Sequence, residues 1–180
     1  MNVIWNLSAM IVVLGLAACA RVPAPRGVSD VSAATAAPAA AVQPEPTVQH
    51  VVDETLPHVV VYKSPTCGCC KMWVEHIRAG GFRVEVTSTQ DMSAIKAQAG
   101  VPVGKGSCHT AKVGDYYLEG HVPADDVKRL LFEKPDARGL IVPGMVPGSP
   151  GMEQGSVHQA YDVLLLAKDG STTVFSHHGN

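Results

Sequence analysis

Three of the chain's five cysteines fall within four residues, Cys67-Gly68-Cys69-Cys70. Before them runs a β-rich apolar stretch, Val59-Val60-Val61-Tyr62, and after them residues 71–79 carry a helical pattern. A strand-to-helix turn offers free backbone N–H groups and the positive end of a helix dipole, and both favour a thiolate. Lys63 and Lys71 flank the turn and push the same way. Cysteines in such a place exchange electrons, hold metal, or do both.

The sequence before this turn reads as an address and a tether. Residues 1–18 form an apolar run ending in Leu16-Ala17-Ala18-Cys19, with no Lys or Arg among residues 2–6. Small residues before a cleavage point mark an export signal, and the ending resembles a lipobox, which makes Cys19 the expected lipidation site. Ala20 follows where an aspartate would favour inner-membrane retention, so the expected destination is the periplasmic side of the outer membrane. Residues 19–56 are rich in Ala, Pro and Val without periodicity and read as a disordered tether. The folded domain is expected over residues 57–180, a size that supports one core. A net charge of −2 gives no reason to expect nucleic acid as a partner.

Within the domain, residues 58–63 read as a strand buried on both faces, because the apolar run is nearly continuous. Ser64 or Thr66 stands where a helix cap is expected. The following helix places Cys70, Trp73, Val74 and Ile77 on one face, and Gly80-Gly81 ends it. Residues 82–87 alternate as a second strand, and 91–99 form a short helix with Met92, Ile95 and Ala99 inward. Residues 107–113 and 116–119 read as a hairpin, and Pro123 opens a third helix. Strand, helix, strand, helix, hairpin, helix is a compact α/β order; with cysteines at the first strand–helix junction it resembles a thioredoxin-like fold. Residues 139–156 form a long Gly/Pro/Met loop, and loops of that length are usually functional or disordered. Residues 161–167 and 171–175 make an extra C-terminal β-hairpin that extends or covers the sheet, and His177-His178 reads as an incidental tail pair.

Cys67 and Cys70 make a C-x-x-C, and Cys69 fills one of its spacer positions. Consecutive helical residues point about 100° apart, so Cys69 cannot share the direction of Cys70. Three sulfurs on one turn fit a shared metal site better than a simple dithiol switch. Counting back from Gly114-Asp115 puts Cys108 opposite the C-x-x-C, where thioredoxin-like proteins carry a cis-proline. It is therefore a fourth convergent thiol, with a buried core cysteine as the alternative. Four thiolates suit zinc, copper(I) or an iron–sulfur cluster. Zinc usually takes its ligands from two knuckles and iron–sulfur motifs space their cysteines further apart, whereas Cu(I) accepts low coordination and soft sulfurs can bridge several ions. Met145 and Met152 are candidate thioether donors, or core gap-fillers, and His121 is a candidate donor, or a capping residue. His109 is expected on the sheet face opposite Cys108. His76 lies about 10 Å along the helix from Cys69, too far to share one ion.

Several stretches together resemble one family. They are Tyr62-Lys63-Ser64-Pro65-Thr66-Cys67-Gly68-Cys69-Cys70 with Trp73 and His76, Ser107-Cys108-His109-Thr110, Glu119-Gly120-His121-Val122-Pro123-Ala124, and Pro143-Gly144-Met145 with Gly148-Ser149-Pro150-Gly151-Met152-Glu153. The pattern is similar to bacterial metal-binding proteins of the CopG copper-resistance type. One departure is Met145-Val146-Pro147, where that pattern has proline directly after methionine. The resemblance covers residues 57–176. It implies a thioredoxin-like fold, a copper-resistance role, and Cys67, Cys69, Cys70 and Cys108 as the motif cysteines. The expected function is then a periplasmic protein that holds Cu(I) on thiolates and sequesters it or passes it to export or other copper-handling proteins, with copper reduction or an electron relay as an additional role open to the same site. The reading from another class is a thiol–disulfide oxidoreductase using Cys67 and Cys70. A zinc-stabilised module is the third.

Overall fold

The computed structural model describes residues 50–179. The expected signal segment, Cys19 and the tether up to residue 49 lie outside the described residues. No described helix is long and apolar enough to cross a membrane.

The elements run β1 (Val59–Lys63), α1 (Gly68–Ala79), β2 (Val84–Ser88), α2 (Met92–Ala99), β3 (His109–Val113), β4 (Tyr116–Glu119), α3 (Ala124–Glu133), β5 (Ala137–Ile141), β6 (Tyr161–Ala167) and β7 (Thr172–His178). They form one seven-stranded mixed sheet in the order β2-β1-β3-β4-β5-β6-β7. β1 pairs parallel to β2 and antiparallel to β3, and β3 pairs antiparallel to β4. The expected α/β order is thus present, around a mixed sheet.

Strand alternation decides which helix covers which face. Val59, Val61, Ala111, Val113 and Leu118 share one buried cluster with Trp73, Val74 and Ile77 of α1 and Val127 and Leu130 of α3. α2 takes the other face, where its Lys96 reaches Thr110 and Glu119. Its apolar residues are weakly used: Ala99 is buried, and Met92 and Ile95 are half-buried. β1 is not buried on both faces as its continuous apolarity implied. Val60 and Tyr62 are half-buried, because the short α2 covers only part of that side.

Two departures reshape the C-terminal half. The expected loop over 139–156 begins later, because Ala137–Ile141 is a strand that pairs parallel to β4 and antiparallel to β6. Gly139 permits this: with φ at 153°, a Cβ there would lie 1.7 Å from the Tyr117 carbonyl oxygen. The ladder shifts register at this point, which is the signature of a bulge. The C-terminal hairpin then extends the sheet through β6 and β7. It is tied back to α3, where Asp126 Oδ2 accepts from Ser176 Oγ at 2.9 Å and from His178 Nε2 at 2.6 Å. The Arg129 guanidinium stacks 3.6 Å over the Phe175 ring and donates to the Phe175 carbonyl. His177 pairs with Asp162 at 2.6 Å, so both tail histidines have aspartate partners. At the other end, the ordered chain reaches back before residue 57: Asp53 N–H donates to the Gly81 carbonyl and Arg83 pairs with Glu54.

His76 joins α1 to α3. Its Nε2 accepts the Ala124 N–H at 2.9 Å, satisfying a free donor at the start of α3. Burial pushes its pKa down, with Glu153 and Asp125 opposing weakly. The unfolded chain takes up this proton near pH 6.5, whereas the folded chain does so only at lower pH. The stability that His76 confers is therefore full above about pH 6.5 and falls as pH drops through the folded value. Urea titrations of the metal-free protein from pH 7 to 5 should show stability falling with pH, with a shallower fall in His76→Gln. An identical pH dependence in the variant would contradict this role.

Candidate metal centre

The cysteine turn is built by the start of α1. The helix begins at Gly68, two residues before Cys70, the first position of its apolar face, so Cys69 and Cys70 lie in its first turn. Neither Ser64 nor Thr66 caps it: their hydroxyls face each other at 3.3 Å. Cys67 is the N-cap instead, and its Sγ accepts from the Cys70 N–H at 3.3 Å. Cys70 is fully buried, while Cys67 and Cys69 are half-buried at the rim.

Cys67 and Cys70 are joined as a disulfide, and Cys69 and Cys108 are free. Cys69 Sγ stands 3.5 Å from Cys67 Sγ and 3.9 Å from Cys108 Sγ. Cys70 Sγ is 3.9 Å from the Cys108 carbonyl oxygen. The four sulfurs named from the sequence all lie within 4.8 Å of one another. Cys69 stays outside the Cys67–Cys70 bond, and its sulfur lies between Cys67 Sγ and Cys108 Sγ.

Cys108 lies one residue before β3, not inside a strand beginning at residue 107. The expectation that His109 faces away from it therefore fails, because strand alternation does not extend to Cys108. His109 Nδ1 sits 3.3 Å from Cys108 Sγ, and His121 Nε2 sits 3.2 Å from the same sulfur. These three ligand atoms form a second group within 4.8 Å of one another, with Cys108 common to both groups.

The imidazoles are prepared as donors. His121 Nδ1 lies 2.7 Å from the Pro150 carbonyl oxygen, which can only accept, so Nδ1 carries the proton. Nε2 then presents its lone pair to the cluster, the orientation that a carbonyl partner imposes on many metal-binding histidines. Burial pushes the His121 pKa down, opposed by the Pro150 hydrogen bond. His109 is fully buried against Trp73, with ring centroids 4.3 Å apart, and its Nε2 has no partner among the described residues. Burial, followed by the nearby His121, drives its pKa well below the usual value. Both rings are neutral at pH 7. Burial and the neighbouring Cys69 push the Cys108 thiol up to about 11, so an arriving metal has to displace that proton.

A buried carboxylate holds Cys108 in place. Glu119, 1% exposed, accepts the Ser107 N–H at 2.5 Å and the Thr110 hydroxyl at 2.6 Å, and pairs with Lys96. Gly120, at φ 74°, keeps this segment close: a Cβ there would lie 2.4 Å from the Val142 carbonyl oxygen and 2.7 Å from Ser107 Cβ. The loop after β5 closes over the centre. Ser107 Oγ donates to the Gly144 carbonyl, and a Cβ on Gly151 would meet the Trp73 nitrogen at 2.5 Å and the Cys69 carbonyl oxygen at 3.0 Å. Met145 follows the first anchor and is 57% exposed; Met152 follows the second and is half-buried. His76 is occupied at α3, away from the sulfurs.

Sequence reasoning missed His109, Glu119 and Pro150. His109 adjoins a candidate ligand in sequence, and only the assumed strand start removed it. Glu119 offered a weaker signal, an acid at the end of a short apolar strand.

A family described as a protein of unknown function, DUF411, matches residues 105–152, the segment that carries Cys108, His109, Glu119, His121 and Pro150. No curated protein sequence matches. Two solved structures do. One, titled copper resistance protein CopG form 2, aligns with a TM-score of 0.66 at 43% identity, covering 68% of this chain and 98% of that one. The other, form 1 of the same title, aligns with a TM-score of 0.66 at 42% identity, covering 69% of this chain and 99% of that one. The identity holds across essentially the whole length of both solved chains, and the chain belongs to the CopG family of copper-resistance proteins.

Proposed function

We propose that this protein is a periplasmic copper-binding protein that holds Cu(I) on Cys67, Cys69, Cys70 and Cys108 and serves copper resistance. The observation that carries the reading is the convergence of four sulfurs within 4.8 Å of one another, one of them shared with two histidines. Thiolates are soft ligands and suit Cu(I), which accepts low coordination numbers. Three sulfurs from one helical turn cannot enclose a single ion as evenly as two separated knuckles do. They can bridge neighbouring ions, with Cys108 as the shared corner. His121, whose lone pair already faces Cys108, is the next donor, and His109 follows it. Met145 and Met152 are further thioether donors on the loop that closes the centre. Zinc would find the same sulfurs, but the one-turn arrangement favours copper. The ion is exchanged with periplasmic or export copper-handling proteins, and lipidation at Cys19 anchors the domain to the outer membrane through the tether.

Loading requires the Cys67–Cys70 bond to be reduced. The same pair can supply electrons: two Cu(II) ions would take one electron each from the dithiol, giving two Cu(I), the disulfide and two protons. The second reading, a thiol–disulfide oxidoreductase working through Cys67 and Cys70, is favoured by one observation. The two are bonded, with the inner sulfur fully buried and the outer one reachable.

Two experiments test these readings. Titration of the reduced protein with Cu(I) under anaerobic conditions should load more than one tightly held ion per chain, and Cys108→Ser should abolish that stoichiometry. His121→Ala should keep the sulfur sites and weaken retention against a Cu(I) chelator on the order of tenfold. Absence of copper uptake by the fully reduced protein would contradict the first reading. Disulfide exchange with a model substrate should fall when Cys69 or Cys108 is replaced if those residues belong to the working centre. Efficient exchange that survives both replacements, in a protein that takes up no copper, would establish the second.

A further inference from the structure

A cavity of about 290 Å³ opens beside the outer sulfur of the disulfide. Cys67 forms part of its wall, together with Lys63, Lys71 and Arg78. Val74 and Val86 supply apolar surface, and Glu75 is the acidic residue among those lining it. That carboxylate is already engaged: Arg78 Nη1 donates to it at 2.7 Å and His50 Nε2 lies 3.4 Å from its other oxygen. Lys63 is 7% exposed, and its ammonium donates to the Ser64 carbonyl at 2.8 Å. An ammonium has three donors, and among the described residues no carboxylate pairs with this one. A buried cation without a counter-ion is costly unless something negative arrives to meet it.

We propose that this cavity binds a small anionic thiol, a thiol carrying a carboxylate or similar group, and that this ligand reduces the Cys67–Cys70 disulfide. The inference rests on the copper-binding reading, since reduction releases two of the four thiolates. Lys63 and Lys71 hold the ligand's negative group while its sulfur faces Cys67. The ligand thiolate attacks Cys67 Sγ, forming a mixed disulfide, and the Cys67–Cys70 bond breaks with Cys70 leaving as a thiolate. Attack at Cys70 is excluded, because that sulfur is fully buried. A second ligand thiolate attacks the ligand sulfur of the mixed disulfide and releases Cys67 as a thiolate. Two thiols become one low-molecular-weight disulfide, two electrons pass to the protein, and Cys67 and Cys70 take up the protons. Charge selection at this wall distinguishes a reductant that docks from one that merely collides.

The test uses the full-length protein in its Cys67–Cys70 disulfide form at low ionic strength. Its rates of reduction by 3-mercaptopropionate, 2-mercaptoethanol and cysteamine are compared after correction for thiolate fraction and intrinsic nucleophilicity. The anionic thiol should lead the neutral one by about tenfold or more, with the cationic thiol slowest. Salt, Lys71→Gln and Lys63→Met should each shrink the preference, and the urea-unfolded chain should lack it. Equal corrected rates for the three thiols, or a preference that survives both lysine replacements, would overturn the proposal. Cu(I) uptake by protein reduced beforehand with a neutral phosphine reports separately on the copper reading. Uptake without charge preference removes only the cavity proposal, and charge preference without uptake removes only the copper reading.

Discussion

The centre depends on one buried charge. Glu119 sits on β4 with almost no exposure, and its carboxylate is satisfied by the Ser107 amide, the Thr110 hydroxyl and Lys96. A carboxylate in that position would be strongly unfavourable without these partners, and removing any one leaves a buried polar group uncompensated. Meeting that requirement fixes the segment before β3. It draws Ser107 to β4, and Cys108 follows toward the first turn of α1. Lys96 enters from α2 on the opposite sheet face, so the network also locks α2 onto the sheet. The cysteine turn supplies three sulfurs by local geometry alone. The fourth arrives because a carboxylate some ten residues away needed donors.

The sulfur arrangement supports two states of one site. With Cys67 and Cys70 bonded, Cys69 and Cys108 are the free thiols among the described residues, beside two neutral imidazoles. With that bond reduced, the four sulfurs become available together. The oxidised form resembles an oxidoreductase and the reduced form a metal centre, and both use the same Cys67 at the helix N-cap. Placing a thiol where Ser, Thr or Asp usually caps a helix directs backbone donors and the helix dipole at sulfur, which favours thiolate in the reduced state. Redox state then governs how many soft ligands the protein presents.

Much of this was legible in sequence because it is local. The apolar face Cys70, Trp73, Val74 and Ile77 was readable from helical spacing, and all four are buried. The convergence of Cys108 on the turn followed from counting residues back from Gly114-Asp115. The illegible parts are those set by distant backbone. β5 was hidden because Gly139 looks like a loop residue, and only the close approach of the Tyr117 carbonyl shows why a strand needs it. The start of α1 was hidden because Gly and Cys are poor helix formers and Cys67 is an unusual cap. His109 was missed over one residue of strand register. The tautomer of His121 depends on the Pro150 carbonyl, brought over the centre by a loop whose path no periodic pattern encodes.

We propose that copper is held by sulfur from both the first turn of α1 and the segment before β3. X-ray absorption at the copper edge of the reduced, Cu(I)-loaded protein tests it most directly. The account predicts an edge characteristic of Cu(I), a first shell dominated by sulfur with a minor nitrogen contribution lost in His121→Ala, and a short copper–copper vector that disappears in Cys108→Ser. A first shell of nitrogen and oxygen, or a sulfur shell unchanged by Cys108→Ser, would contradict it.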